Sequence, residues 1–184
     1  NKHIGILPAE VHSYLADFAK RYPADHIIEY FHKARKLKVL LVGEPVIDEY
    51  MYCDAIGKSS KEPTMVVRKL SSEKFAGGIL AAANHVASFC KSVDVITALG
   101  LENTEEDLIQ STLKANTTLH VVYRKEGPTT LKTRFVATGY DIRKLFEVYS
   151  MNDAPFEGAE LSALNALIEE KIDTYDVVVV NDFG

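Results

Sequence analysis

The segment Lys38-Val39-Leu40-Leu41-Val42-Gly43 is the strongest indication of the fold class of this chain. A continuous run of large aliphatic residues closed by a glycine is typical of a strand buried on both faces, as in a parallel sheet covered by helices. The pattern returns at residues 93–99, 119–124 and 176–180. Helical periodicity separates these strands, so the chain is predicted to be α/β with a largely parallel sheet.

Two amphipathic helices are predicted before this first strand. Pro8 suits the first turn of a helix. Apolar residues then repeat at helical spacing until Tyr22-Pro23 and again over residues 24–35. Because the composition changes abruptly at the strand, residues 1–37 are predicted to be a helical leader or linker and residues 38–184 a separate domain.

A small pair of strands is predicted after the first core strand. Residues 49–56 and 64–70 alternate or branch at Cβ, and a polar segment with glycine and proline separates them. This pattern indicates a two-stranded flap or lid over about residues 49–70. Its edges have the potential to pair with another chain.

Composition excludes several classes of protein. With 184 residues, 47% hydrophobic and 26% charged, the chain can bury a core, while a net charge of −5 with scattered cations argues against nucleic acid as a partner. Cys53 and Cys90 form no CxxC pair, so neither a zinc site nor a redox dithiol is indicated. No membrane span or signal peptide is recognisable, which predicts a cytoplasmic location.

Asp48 is the first candidate for a binding residue. It follows the opening strand, where open α/β sheets place ligand-binding loops. A carboxylate there can accept hydrogen bonds from two sugar hydroxyls, although such an aspartate taken alone is more often a cap or turn residue. The segment is no dinucleotide fingerprint, because GxGxxG is absent and Pro45 removes a backbone donor.

A glycine pair is the second candidate. Gly77 and Gly78 precede an alanine-rich helix at residues 79–89, and the lack of Cβ atoms allows a ligand to approach closely. Asn84, further along that helix, can exchange hydrogen bonds with a hydroxylated ligand. The competing interpretation of Asn84 is a core polar residue whose hydrogen bonds are satisfied within the protein.

A strand with several cations is the third candidate. Within residues 128–136, Lys132 and Arg134 alternate onto one face, and together with Arg143 and Lys144 they could receive a phosphate. The alternative is a solvated face with paired charges, which antiparallel strands commonly show. The sequence leaves both interpretations open.

Taken in order, these segments resemble the ribokinase-like carbohydrate kinases, also called the phosphofructokinase-B type. The resemblance covers residues 38–184, and it looks most like the heptose-phosphate kinases of the surface-polysaccharide pathway. It implies an α/β ribokinase-like fold, with a mostly parallel sheet flanked by helices, a small β-lid, and the C-terminal half of the domain absent. The segments that carry the resemblance are Val39-Leu40-Leu41-Val42-Gly43 with Ile47-Asp48, Lys61-Glu62-Pro63, Gly77-Gly78, Pro128-Thr129-Thr130-Leu131-Lys132-Thr133-Arg134, and Val178-Val179-Val180-Asn181-Asp182-Phe183-Gly184.

The resemblance assigns roles to several residues. It implies that Asp48 holds sugar hydroxyls, that Gly77 and Gly78 line the sugar pocket, and that the lid closes over the sugar and forms a homodimer. Ala81 stands where the family usually has a sugar-binding asparagine, so Asn84 is the candidate substitute. Lys132 and Arg134 remain the candidate phosphate contacts.

The implied function is the sugar-binding half of an ATP-dependent kinase for a sugar or sugar phosphate, serving activated-sugar or polysaccharide biosynthesis. ATP and Mg²⁺ are expected for a full-length parent, in which a nucleotidyltransferase domain is a partner. The family's catalytic GxGD motif is absent, so we assign no catalytic or metal-binding residue and expect this chain alone to be inactive and free of cofactors. Asp182-Phe183-Gly184 matches a protein-kinase triplet by coincidence, since the other kinase motifs are missing. The alternative function is an association module that dimerises through lid strands and docks a neighbouring domain.

Overall fold

The buried run at residues 38–43 forms an inner strand of a parallel sheet, as predicted. The structure, a computed structural model, describes residues 7–139 and 142–182, so Phe183 and Gly184 of the triplet lie outside the described residues. Its strands form two four-stranded sheets. The strands of sheet A are β1 (Lys38–Gly43), β4 (Ser92–Glu102), β5 (Thr117–Pro128) and β8 (Val177–Asn181), in the spatial order β5-β4-β1-β8. The strands of sheet B are β2 (Pro45–Lys58), β3 (Met65–Gly78), β6 (Leu131–Ala137) and β7 (Arg143–Ser150), in the order β3-β2-β6-β7.

The described residues also form α-helices. The helices are α1 (Ala9–Arg21), α2 (Ala24–Ala34), α3 (Ile79–Val86), α4 (Glu106–Thr112) and α5 (Gly158–Lys171), followed by a 3₁₀ turn over Ile172–Thr174. The helix between β4 and β5, α4, is short, with 7 residues. Asn103 and Glu105 have positive φ angles of 49° and 55°, so the helix begins only after them.

Sheet A is covered on both faces. Val39 and Leu41 point to one face and pack with Leu80 of α3 in the main hydrophobic cluster. Leu40 and Ile96 point to the other face and are also fully buried, and α5 packs against β4 and β5. Burial on both faces is the reason why β1 is a continuous apolar run and not an alternating pattern.

Sheet B extends well beyond the predicted two-stranded flap. β2 and β3 pair antiparallel from Pro45 to Gly78, where the sequence indicated a lid over about residues 49–70. β6 pairs parallel with β2, and β7 pairs antiparallel with β6. Sheet B is therefore a mixed sheet, because two later segments of the chain complete it.

Two helices, α1 and α2, precede β1, and neither contains a fully buried residue. Ion pairs one helical turn apart, Asp17–Arg21 and Glu29–Lys33, lie on their surfaces. Phe31 of α2 contacts the ring of Phe89, with 5.7 Å between ring centroids. In the described part of the chain, no helix has the length and apolarity needed to cross a membrane.

Candidate functional site

Asp48 and the glycine pair meet where the chain passes from sheet A into sheet B. β2 begins at Pro45 and β3 ends at Gly78, and their antiparallel pairing places Val46 opposite Gly77. A Cβ on Gly77 would collide with Oδ2 of Asp48. The structure therefore brings together two elements that were expected to share a pocket.

The backbone conformation at position 78 favours glycine. Its φ angle is +59°, and a Cβ there would lie 2.7 Å from the carbonyl oxygen of Glu44. The same carbonyl accepts a hydrogen bond of 3.0 Å from the amide of Ile79, the first residue of α3. The glycine thus allows the chain to turn from β3 directly into α3 beside the start of β2.

Arg134 is held by carboxylates. Its Nη1 donates a hydrogen bond to Oδ1 of Asp48, and its Nε lies 3.6 Å from Oε1 of Glu147. The guanidinium also lies over the ring of Tyr50, 5.6 Å from the centroid. The hydrogen bond to Asp48 is the largest cause that raises the pKa of Arg134 above its usual value. Arg134 is therefore a structural partner of Asp48.

Glu147 accepts hydrogen bonds from neighbouring side chains of this region. Lys144 and the hydroxyl of Tyr149 both donate hydrogen bonds to its carboxylate, and these bonds, Lys144 first, hold the pKa of Glu147 below its ordinary value. The hydrogen bond to Glu147 in turn raises the pKa of Tyr149. Arg143 pairs with Ala137 in the β6–β7 register and is exposed. For Arg134 and Lys144, the structure favours the alternative of paired charges.

Lys132 differs from these cations. In register it stands opposite Asp48 on β2 and opposite Tyr149 on β7. Its Nζ lies 5.1 Å from the centroid of the Tyr149 ring. Within residues 7–139 and 142–182, no carboxylate oxygen approaches this ammonium group to within 4.0 Å. Lys132 is thus a cation beside Asp48 without a carboxylate partner in the described structure.

Aromatic side chains complete the same face of sheet B. Tyr50 and Phe75 meet edge to face, with 5.8 Å between centroids, and Tyr52 donates a hydrogen bond of 3.1 Å to Glu73. With Asp48, the three aromatic residues line an open cavity of about 400 Å³. Their spacing along the chain offered a signal, because residues 48, 50 and 52 must share one face of a strand. This spacing was not used above to predict an aromatic face beside Asp48.

Asn84 takes another role than the one proposed from the sequence. Its Nδ2 donates a hydrogen bond of 2.9 Å to the carbonyl of Thr112, and its Oδ1 accepts one of 2.9 Å from the amide of Lys114. The side chain is directed to the end of α4 and not to Asp48. These bonds favour the competing interpretation, a polar residue whose hydrogen bonds are satisfied within the protein.

A second cavity lies at the carboxyl ends of the strands of sheet A, where open α/β folds bind ligands. Its volume is about 280 Å³, and Arg124 forms part of the wall. Arg124 donates hydrogen bonds to the carbonyls of Asn152 (3.3 Å) and Ala154 (2.7 Å), and it stacks 4.5 Å from the centroid of Phe156. Among the described residues, no group of three His, Cys, Asp or Glu side chains is arranged to hold a metal ion.

Comparison with known proteins finds relatives among sugar kinases. The chain is 26% identical over 165 residues to the D-beta-D-heptose 7-phosphate kinase of Bordetella bronchiseptica, covering 89% of this chain and 49% of that protein. It is 31% identical over 157 residues to the bifunctional protein HldE of Hydrogenovibrio crunogenus, covering 83% of this chain and 31% of that protein. The chain therefore spans half or less of the length of these relatives. No family profile matches it.

Solved structures confirm the predicted fold. Phosphofructokinase-2 from Escherichia coli, solved in complex with fructose-6-phosphate, superposes with a TM-score of 0.55 at 17% identity, over 80% of this chain and 45% of that one. A carbohydrate kinase from Agrobacterium tumefaciens gives a TM-score of 0.51 at 17% identity, over 78% and 45% of the two chains. At such identities the likeness shows the fold alone.

Proposed function

We propose that this chain, which has the ribokinase-like fold and resembles heptose 7-phosphate kinases in sequence, is the sugar-binding half of an ATP-dependent carbohydrate kinase. The substrate is a sugar phosphate of the heptose-phosphate type, and the pathway is activated-sugar or polysaccharide biosynthesis in the cytoplasm. One observation carries the proposal: the carboxylate of Asp48 lies against Gly77 at the entrance to the lid.

The geometry of Asp48 suits a hydroxylated ligand. Arg134 holds Oδ1, and Oδ2 faces the space left by the missing side chain of Gly77. A carboxylate oxygen that is fixed in this way can accept hydrogen bonds from sugar hydroxyls without first losing side-chain freedom. The rings of Tyr50 and Phe75 offer apolar surface next to it.

The parent kinase would use ATP and Mg²⁺. The described residues contain no group that fits a metal ion, so we derive no phosphoryl-transfer step from this chain. The chain also lacks the GxGD motif implied by the resemblance. We therefore expect it to bind sugar phosphate without turnover, and we expect a nucleotidyltransferase domain as its partner in the parent protein.

Calorimetry tests the proposal. Asp48→Asn keeps the size of the side chain and removes its charge, and a hydrogen bond to a charged group contributes about 1.5–3 kcal/mol. The affinity for a D-heptose 7-phosphate should fall by about 10- to 100-fold. Asp54→Asn is the matched control, because Asp54 lies on the same strand and pairs with Arg68 on an exposed surface. Equal affinities of both variants would remove Asp48 from the site.

A second function, association through the lid, is supported by a separate observation. On the face of sheet B opposite to Asp48, Phe135 and Phe146 stack with centroids 4.4 Å apart. Phe146 is 47% exposed and Val148 is 51% exposed. Sedimentation of the chain and of Phe146→Ser distinguishes the possibilities: a dimer that the variant abolishes supports lid pairing, and a wild-type monomer at high concentration rejects it.

A further inference from the structure

The cations on the Asp48 face of sheet B differ in what they contact. Arg134 contacts two carboxylates, those of Asp48 and Glu147, and Lys144 contacts Glu147. The two carboxylates already neutralise the guanidinium, and a phosphate that approached Arg134 would be repelled by their negative charges. Removing one partner of a partly buried charge pair is costly, so Arg134 is better suited to hold Asp48 in position than to bind an anion.

The ammonium group of Lys132 contacts no carboxylate among the described residues. The Tyr149 ring lies beside its ammonium group and attracts it without neutralising its charge. Lys132 is half-buried, and such a contact contributes about 0.5–2 kcal/mol, the upper value where the cation is desolvated. A charge-assisted hydrogen bond to phosphate is stronger, so an arriving phosphate can draw the ammonium group away from the ring.

The register places this cation beside the proposed sugar contact. Asp48 and Lys132 are directly opposite each other on neighbouring parallel strands, which lie about 4.8 Å apart. Both side chains therefore project from the same face of sheet B. One ligand can present a hydroxyl to Asp48 and an anionic group to Lys132.

We infer that Lys132 forms the phosphate subsite of this face and makes the chain select a phosphorylated sugar over the same sugar without phosphate, while Arg134 serves as a positioning residue for Asp48. The inference rests on the proposed function and names the residue that binds the phosphate group of the sugar. From the sequence, Lys132 and Arg134 were both candidate phosphate contacts; the inference keeps that role for Lys132 alone.

The test compares two ligands, D-heptose 7-phosphate and the corresponding D-heptose, by calorimetry on the 184-residue chain. Wild type should bind the phosphorylated sugar more tightly. Lys132→Met, which keeps the aliphatic stem, should weaken binding of the phosphorylated sugar by about 10- to 100-fold and leave binding of the free sugar unchanged. Lys132→Arg should restore the preference, since arginine also binds phosphate.

Controls distinguish a failure of this inference from a failure of the proposed function. Lys69→Met removes an exposed lid cation and should change neither affinity. Thermal unfolding of each variant shows whether it is folded, and Lys132→Arg gives a second reading if Lys132→Met is unstable. The subsite is rejected if Lys132→Met weakens both ligands equally or neither, or if wild type binds both ligands equally well. If wild type binds neither ligand, the proposed function fails and the subsite fails with it.

Discussion

The carboxylate of Asp48 occupies the space in which a side chain on Gly77 would lie. The two residues are on adjacent antiparallel strands, β2 and β3, near the point where both leave the core. Glycine at position 77 is therefore favoured by the position of a carboxylate on the neighbouring strand. The pair couples the stability of the lid junction to the group proposed to bind sugar.

Gly77→Ala should damage both properties. The added Cβ must push the Asp48 carboxylate aside or separate the strands, and overpacking of this kind costs about 1–3 kcal/mol. We expect a loss of that size in the free energy of unfolding, measured in urea, and at least about a tenfold loss of affinity for D-heptose 7-phosphate. Gly139→Ala is the control, since nothing lies within 4 Å of a Cβ at that position. Wild-type behaviour of Gly77→Ala would contradict the described geometry.

Asn84→Ala should affect stability and leave sugar binding intact. The substitution leaves the amide of Lys114 and the carbonyl of Thr112 without their side-chain partner. Because both bonds lie at an exposed surface, water can replace the lost partner, and the expected cost is that of the net hydrogen bonds, about 0.5–1.5 kcal/mol each. Urea unfolding measures that cost, with Gln110→Ala on the exposed side of α4 as the control. A large loss of sugar affinity in the folded variant would return Asn84 to the site.

Tyr175 should give the chain a stability loss at high pH. Burial, and next a hydrogen bond to Asp94, raise the pKa of Tyr175 to about 12. The same Asp94 carboxylate lies 2.6 Å from Nε2 of His120. Because the folded pKa is above the usual tyrosine value of about 10, this contribution to stability is complete below pH 10 and disappears as the pH rises to about 12.

The tyrosine prediction is tested by ultraviolet titration of the wild type against Tyr175→Phe. The difference between the two curves should show one tyrosine that ionises near pH 12. The unfolding temperature of the variant should also fall less between pH 10 and 12. Tyr14→Phe, which alters an exposed ring on α1, is the control and should keep the late titration step. An unchanged high-pH step in Tyr175→Phe would assign it to another residue.

Arg124→Met should loosen the wall of the second cavity. It removes hydrogen bonds to the carbonyls of Asn152 and Ala154 and the stacking on Phe156. We expect a loss of about 2–3 kcal/mol in unfolding free energy and faster proteolysis within residues 151–156. Arg124→Lys should recover only part, because an ammonium group lacks the planar fork of guanidinium. Arg143→Met, at an exposed site, should change neither measurement.

Local features of the fold were predictable from the sequence. The apolar run that became β1, the helical periods of α1 and α2, and the glycine pair before α3 are each visible within a few residues. Sheet B was predicted only in part, because β6 joins β2 across more than 80 residues of sequence, as in the bond between Arg134 and Asp48. No local pattern reports a pairing at that separation.

Buried strands, helices, and the carboxylate and two glycines at their ends could be recognised in the sequence, because side-chain periodicity and backbone freedom are properties of neighbouring residues. The contacts between distant segments appear only in the folded chain: Arg134 holds Asp48, Asn84 binds the end of α4, and the ammonium group of Lys132 lies beside the Tyr149 ring. Strand register explains this difference, because which charges meet depends on how distant strands align.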